Sequence, residues 1–139
     1  IASKKNCYVI ISDGELNEGS TMEAIMFAPT IKLSNLFVFI DFNNIQSYDH
    51  TNDVISYNYL DKILKNFGWD VYDIKDGHDI NEINHSISKS KKINKPHIFI
   101  CRTIKGKGVK KMENNLVWHY KSPNLYEYNE FSKELENEK

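Results

Sequence analysis

The sequence predicts an α/β protein built on a doubly wound, mostly parallel sheet with helices on both faces. Three observations predict it. Apolar runs of strand length alternate with segments of helical period along most of the chain. The run "NLFVFIDF" is apolar almost throughout, as a strand buried on both faces is. Glycine, acidic residues or asparagine follow these runs, where a parallel strand hands over to a loop.

The elements follow in order. "CYVIIS" (Cys7 to Ser12) is the first strand, read as a core strand. "GSTMEAIMFAPTIKLS" is the first helix, with Met22, Ile25, Met26 and Leu33 near one stripe. Ser20 or Thr21 is its expected cap, and Pro29 is expected to kink or end it. "NLFVFIDF" (Asn35 to Phe42) is the second strand, and "YLDKILKNFG" a helix stopped by Gly68. "WDVYDI" is the third strand, and "DINEINHSISKSKK" a helix capped by Asp79. "PHIFICRT" is the fourth strand, followed by the loop "KGKGVKK" and a closing surface helix, "NLYEYNEFSKELENE".

The bulk composition excludes several classes. The chain has 139 residues, room for one domain with a real core. Its net charge of −1 gives no field for nucleic acid or a membrane surface. The lysines of "SKSKKINK" have no interleaved aromatics and read as a solvated helix end. No apolar run reaches the length of a membrane span, and no signal peptide is visible, so a cytoplasmic location is expected. Cys7 and Cys101 each lie in an apolar run and are expected to be buried free thiols. The chain begins at Ile1, close to a strand, from which further residues upstream are expected.

Chemistry gathers at the ends of the first two strands. In a parallel sheet, ligands bind beyond the carboxyl ends of the strands. Asp13 and Gly14 follow the first strand; Asp41, Asn43 and Asn44 lie at the end of the second. A single crossover sets these ends side by side, so Asp13 and Asn43 can face one point. A carboxylate, an amide oxygen and the carbonyl of Ile45 are hard oxygen donors. They suit Mg²⁺ or Ca²⁺, and Mg²⁺ shares its shell readily with phosphate. Gly14 has no side chain to keep a phosphate from its N–H, and the following helix is expected to point its positive end there. Asp-Gly after a strand is often only a turn; its pairing with Asn-Asn after the next strand points to a metal-diphosphate site.

Four segments in order, "SDGELNEGSTMEA", "NLFVFIDFNNIQ", "FGWDVYDIKDGHDINEI" and "KPHIFICRTIKGKGVKKMENNLVWH", resemble the thiamine diphosphate-binding half of transketolases. The first two carry the general thiamine diphosphate motif. "NEGSTMEA" and "KGKGVKKMENNLVWH" are more particular to transketolases. The resemblance implies the diphosphate-binding domain of the thiamine diphosphate-binding fold over residues 1–139, with its N-terminal part missing. It implies Mg²⁺, or Ca²⁺ or Mn²⁺ in its place, held by Asp13, Asn43 and the Ile45 carbonyl, and diphosphate bound at Gly14. Glu18 is implied at a subunit interface near the aminopyrimidine, and Lys105 and His119 near the diphosphate and the reacting sugar.

The implied reaction moves a two-carbon ketol unit between sugar phosphates. The pyrimidine-binding and C-terminal domains are not in this sequence. The resemblance therefore implies a complementary chain or a missing segment, assembly as a dimer or heterotetramer, and no activity for this chain alone. Two alternatives stand beside it: another thiamine diphosphate enzyme, such as one like deoxyxylulose-phosphate synthase, and a noncatalytic subunit that keeps the fold.

Three positions depart from the family pattern. Ser12 stands where glycine is usual, Tyr120 replaces the glycine after the histidine, and "QSYDH" lacks a glycine. Ser12 is expected either to crowd the bend or to bond locally. Glu15 and Asn17 are expected as turn residues, Lys107, Lys110 and Lys111 as solvated, and His78 as structural. His50, His85 and His97 read as surface or packing residues.

Overall fold

The computed structural model describes residues 5–90 and 94–137. The described residues form four strands: β1 (Cys7–Ser12), β2 (Leu36–Phe42), β3 (Asp70–Ile74) and β4 (His97–Arg102). All pair in parallel, in the order β1-β2-β4-β3. The helices are α1 (Gly19–Thr30), α2 (Thr51–Val54), α3 (Leu60–Phe67), α4 (Ile80–Ser90) and α5 (Leu125–Asn137). The end of the helix expected to reach Lys92, with its lysines, lies partly outside the described residues, as does the start at Ile1.

The sheet carries helices on both faces, as expected. One face packs Val38, Ile40, Ile98 and Ile100 against Ile25 and Ala28 of α1, Leu60 and Leu64 of α3, and Trp69. The other packs Phe37, Phe99 and Cys101 with Ile83 and Ile87 of α4. β2 and β4 are central and so are covered twice, which is why their sequences are apolar at nearly every position. Gly68 closes α3 in the left-handed conformation, with φ +106°. A side chain there would also press on Pro29, since a Cβ would come within 3.1 Å of the Pro29 Cβ. Pro29 sits in the last turn of α1, where the helix is ending.

Two expectations fail at β1 and α1. The sequence reads as a core strand with a buried Cys7, but in β1 Cys7 is exposed and so are Tyr8, Val9 and Ile10. β1 lies at the sheet edge and pairs on one side only, so an apolar run does not guarantee cover. Only Cys101 is a buried thiol; burial pushes its pKa up to about 11. α1 begins at Gly19 with Glu18 as its cap residue, not at Ser20 or Thr21. A single 3-10 turn, Gly14–Asn17, stands between Asp13 and α1. The helix end expected beside Gly14 is therefore set back by that turn.

Among the described residues, no helix is long and apolar enough to cross a membrane.

Candidate cofactor site

The register of β1 and β2 places Ser12 beside Asp41. The next residues of each strand, Asp13 and the segment from Asn43, therefore leave the sheet together at its carboxyl edge. Asp13 is fully buried there, at 0% exposure. Its Oδ2 accepts from the Asn44 N–H at 2.7 Å and from Thr51 Oγ1 at 2.8 Å. Its Oδ1 is buried and has no partner. Burial raises the Asp13 pKa; the bonds from Thr51 and Asn44 and the nearby Gly14 backbone oppose that shift, and the Asp41 charge adds to it. A carboxylate held this way has one oxygen fixed by donors and one left for another group.

The loop after β2 supplies the remaining oxygens. Asn43 is buried, and its Oδ1 accepts from the Ile45 N–H at 3.0 Å, which orients the amide and leaves the oxygen a second lone pair. Asn44 takes φ +64°, a left-handed conformation that asparagine tolerates. Ile45 bridges to His50, but the bonds that close the bridge run from Gln46 N to Asp49 O and from Thr51 N to Asn44 O. They leave the Ile45 carbonyl out of the ladder. A tight turn thus forms in "QSYDH" without the glycine that the family pattern carries.

Asp13, Asn43 and Ile45 line one cleft of about 380 Å³ with Gly14, Glu18, Gln46, Lys105 and His119. All seven residues expected at the site from sequence meet there. Glu18 and His119 are exposed at it and Lys105 is half-buried. Lys105 is positioned by its backbone neighbours: the Ile104 N–H donates to His78 Nε2 at 2.9 Å, and the Lys105 carbonyl accepts from the Asn114 N–H at 3.0 Å. His78 is structural, as expected, and shapes the loop that carries Lys105.

Each departure finds a partner. The Ser12 hydroxyl bonds to Glu15 Oε2 at 3.1 Å and accepts from the Glu15 N–H at 3.2 Å. It bonds within its own turn and does not crowd the bend. Tyr120 Oη donates to the Ser47 carbonyl, which ties the His119 turn to the loop of Asn43 and Ile45. His97 is buried against Asp70 at 3.1 Å, a packing residue, while His50 and His85 are exposed. Lys111 is not simply solvated, because its amine reaches Glu127 Oε1 at 3.1 Å.

Sequence reasoning missed Thr51, Tyr57 and the second role of Asn17. Thr51 holds Asp13 across 38 residues, and Tyr57 Oη donates to Asn17 Oδ1 across 40. Neither pairing has a local signature. Gly14 also gains a different reason. A Cβ there would lie 3.2 Å from the Gln46 Cβ, a tight contact, so glycine suits the close packing of the Gln46 side chain.

The residues fit a metal diphosphate by their donor chemistry. A buried, unpartnered carboxylate oxygen beside an amide oxygen and an unengaged carbonyl is a hard-cation donor set. Among the described residues, no group of three His, Cys, Asp or Glu side chains could hold an ion. This set needs only one carboxylate.

A parallel α/β sheet with such a set beyond two neighbouring strands defines a class of diphosphate-binding domain. The family described as "transketolase, thiamine diphosphate binding domain" matches residues 2–125, and the chain belongs to it. The chain is 37% identical over 121 residues to an apulose-4-phosphate transketolase subunit of Actinobacillus succinogenes, covering 87% of this chain and 44% of that one. It is 38% identical over 113 residues to the 6-deoxy-6-sulfo-D-fructose transketolase subunit SqwG of a Clostridium species, covering 81% and 41%. The crystal structure of Campylobacter jejuni transketolase superposes with a TM-score of 0.73 at 31% identity, over 79% of this chain and 17% of that one. The chain spans less than half the length of these relatives.

Proposed function

We propose that this chain is the diphosphate- and metal-binding part of a transketolase-type enzyme that transfers a two-carbon ketol unit between sugar phosphates. The observation that carries this reading is the buried, unpartnered Oδ1 of Asp13 in a cleft shared with Asn43, Ile45, Gly14, Lys105 and His119. The family match and the relatives named as transketolase subunits support it.

In this reading residues 1–139 act as one domain. Asp13 Oδ1, Asn43 Oδ1 and the Ile45 carbonyl hold Mg²⁺, with Ca²⁺ or Mn²⁺ able to replace it. The Gly14 N–H and the Lys105 amine bind the diphosphate of thiamine diphosphate. Bound there, thiamine diphosphate supplies a carbon nucleophile and a sink for the electrons of the broken carbon–carbon bond. His119 takes or gives a proton at a sugar oxygen. Glu18, exposed at the cleft, meets the aminopyrimidine end across a subunit interface.

The pyrimidine-binding and C-terminal domains come from a complementary chain or segment, and the assembly is a dimer or heterotetramer. The relatives named for apulose 4-phosphate and 6-deoxy-6-sulfo-D-fructose make a specialised sugar donor as reasonable as xylulose 5-phosphate. Cytoplasmic action belongs to the same reading, and two free thiols accord with a reducing compartment.

The test is ketol transfer by the assembled enzyme, with and without thiamine diphosphate, using xylulose 5-phosphate and ribose 5-phosphate and then the specialised donors. Transfer by the pair and none by this chain alone is expected. Pyruvate as the only competent donor would instead favour an enzyme like deoxyxylulose-phosphate synthase. Cofactor binding with no turnover on any donor would mark a noncatalytic subunit.

A further inference from the structure

Two buried side-chain atoms of the cleft residues lack partners, and the proposed metal set uses only Asp13 Oδ1. The other is Gln46 Nε2. A carboxamide NH₂ is a donor and does not ligate a cation, so it needs a different occupant.

The Gln46 side chain is 6% exposed, and its amide is oriented by a relay. Tyr57 Oη donates to Asn17 Oδ1, and Asn17 Nδ2 donates to Gln46 Oε1 at 2.9 Å. The oxygen of Gln46 is therefore engaged, and the NH₂ is the free end. The Gln46 Cβ lies 3.2 Å from where a Gly14 Cβ would be, so this side chain runs along the backbone of Gly14. The backbone N–H of Gln46 donates to the Asp49 carbonyl at 3.1 Å, which fixes its loop. A buried donor without an acceptor is costly to keep, and a bound acceptor explains its retention.

We infer that Gln46 is a binding residue for the anionic group seated beside Gly14: its Nε2 donates to a diphosphate oxygen, and Asn17 and Tyr57 are the positioning residues that aim it. The inference rests on the proposed reading of the cleft as a diphosphate site. Lys105 brings charge to that group on a long flexible stem. Gln46 brings direction, because its amide cannot turn without breaking the bond to Asn17.

The experiment uses the assembled enzyme, titrated by calorimetry with thiamine diphosphate at fixed Mg²⁺. Gln46→Met keeps the side-chain length and removes the donor; Gln46→Glu keeps the acceptor for Asn17 and puts a carboxylate where the donor stood. Gln46→Met should weaken binding by about tenfold, the scale of one lost hydrogen bond to a charged group. Gln46→Glu should weaken it further by repulsion, and Tyr57→Phe less, because only the aim is loosened. The Mg²⁺ concentration for half-saturation, measured at saturating cofactor, should stay level in Gln46→Met. Its melting temperature without ligand should also stay level, since the variant loses one bond to Asn17 but relieves one unpartnered donor.

Wild-type affinity in both Gln46→Met and Gln46→Glu would overturn the inference and leave the diphosphate site standing. A fall in melting temperature matching the fall in affinity would overturn it in favour of a packing role. Failure of the wild-type enzyme to bind thiamine diphosphate would remove the site and the inference together.

Discussion

Asp13 and Glu127 are both buried acids, at 0% and 6% exposure, in regions that treat a carboxylate in opposite ways. Glu127 sits in the first turn of α5 with both oxygens engaged. Its Oε1 accepts from Lys121 at 2.6 Å and Lys111 at 3.1 Å, and its Oε2 from the Asn124 N–H at 3.1 Å. The Asn124 side chain returns a bond from the Glu127 N–H at 2.9 Å, completing a capping box. Lys121 above all, with the Asn124 N–H and Lys111, holds the Glu127 pKa down at about 2. Around Asp13 no lysine among the described residues pairs with the charge: burial raises its pKa, and one oxygen has no partner. The helix cap is finished within the chain. The cleft leaves Asp13 Oδ1 and Gln46 Nε2 without partners, so substitutions in the two regions should fail in different ways.

The largest effect should come from the cleft without touching stability. His119→Ala should lower turnover by about 100-fold or more, the lower range for a lost general acid or base. Cofactor affinity should change far less, because the proposed work of His119 is on the sugar. Steady-state kinetics of the assembled enzyme set beside calorimetric affinity decide this; equal losses in both would move His119 into the binding set.

Asp13→Asn comes next. It should weaken Mg²⁺-dependent cofactor binding by at least about 10–100-fold, the loss commonly seen when groups around a metal are removed. The melting temperature without ligand should hold or rise, because a buried charge has been removed. Asn43→Ala should weaken the same step, and the double variant should fall well short of the product, since both residues serve one ion. Unchanged affinity in Asp13→Asn would reduce Asp13-Gly14 to a turn.

Glu127 should show the reverse: a stability effect with no change in cofactor affinity. The folded state makes this acid stronger than its ordinary value of 4.5, so its contribution is complete above pH 4.5. It is lost as the pH falls from 4.5 towards about 2, where the folded carboxyl takes up its proton. Thermal melting across that window should fall more steeply for wild type than for Glu127→Gln, which starts lower at neutral pH. Parallel curves would mean the cap is not what acid attacks.

The smallest effect concerns the two thiols. Cys7 is exposed on the edge strand, and Cys101 is 7% exposed with its pKa pushed up to about 11. A thiol reagent at neutral pH should modify one cysteine rapidly, and Cys7→Ser should abolish that fast phase. Two fast phases would show that β4 opens readily.

Much of this molecule is legible in its residues taken a few at a time. The four strands, α1, α3, α4 and α5 lie within a few residues of where periodicity and turn chemistry put them, because those signals are local. The pairing of Asp13 with Asn43 is legible too. A parallel crossover has few geometries, so two polar strand ends thirty residues apart can become neighbours, as β1 and β2 do here. Tertiary structure decided the rest. The apolar run of β1 says nothing of whether a neighbour covers it, since burial depends on sheet order. Thr51 bonding to Asp13, Tyr57 to Asn17 and Asn17 to Gln46 join residues 29 to 40 apart through single hydrogen bonds. A hydroxyl or amide in a loop carries no pattern that names such a partner. Which oxygen of Asp13 is satisfied and which is left free is fixed only once those loops pack, because satisfaction is a property of distance and direction, not of residue type.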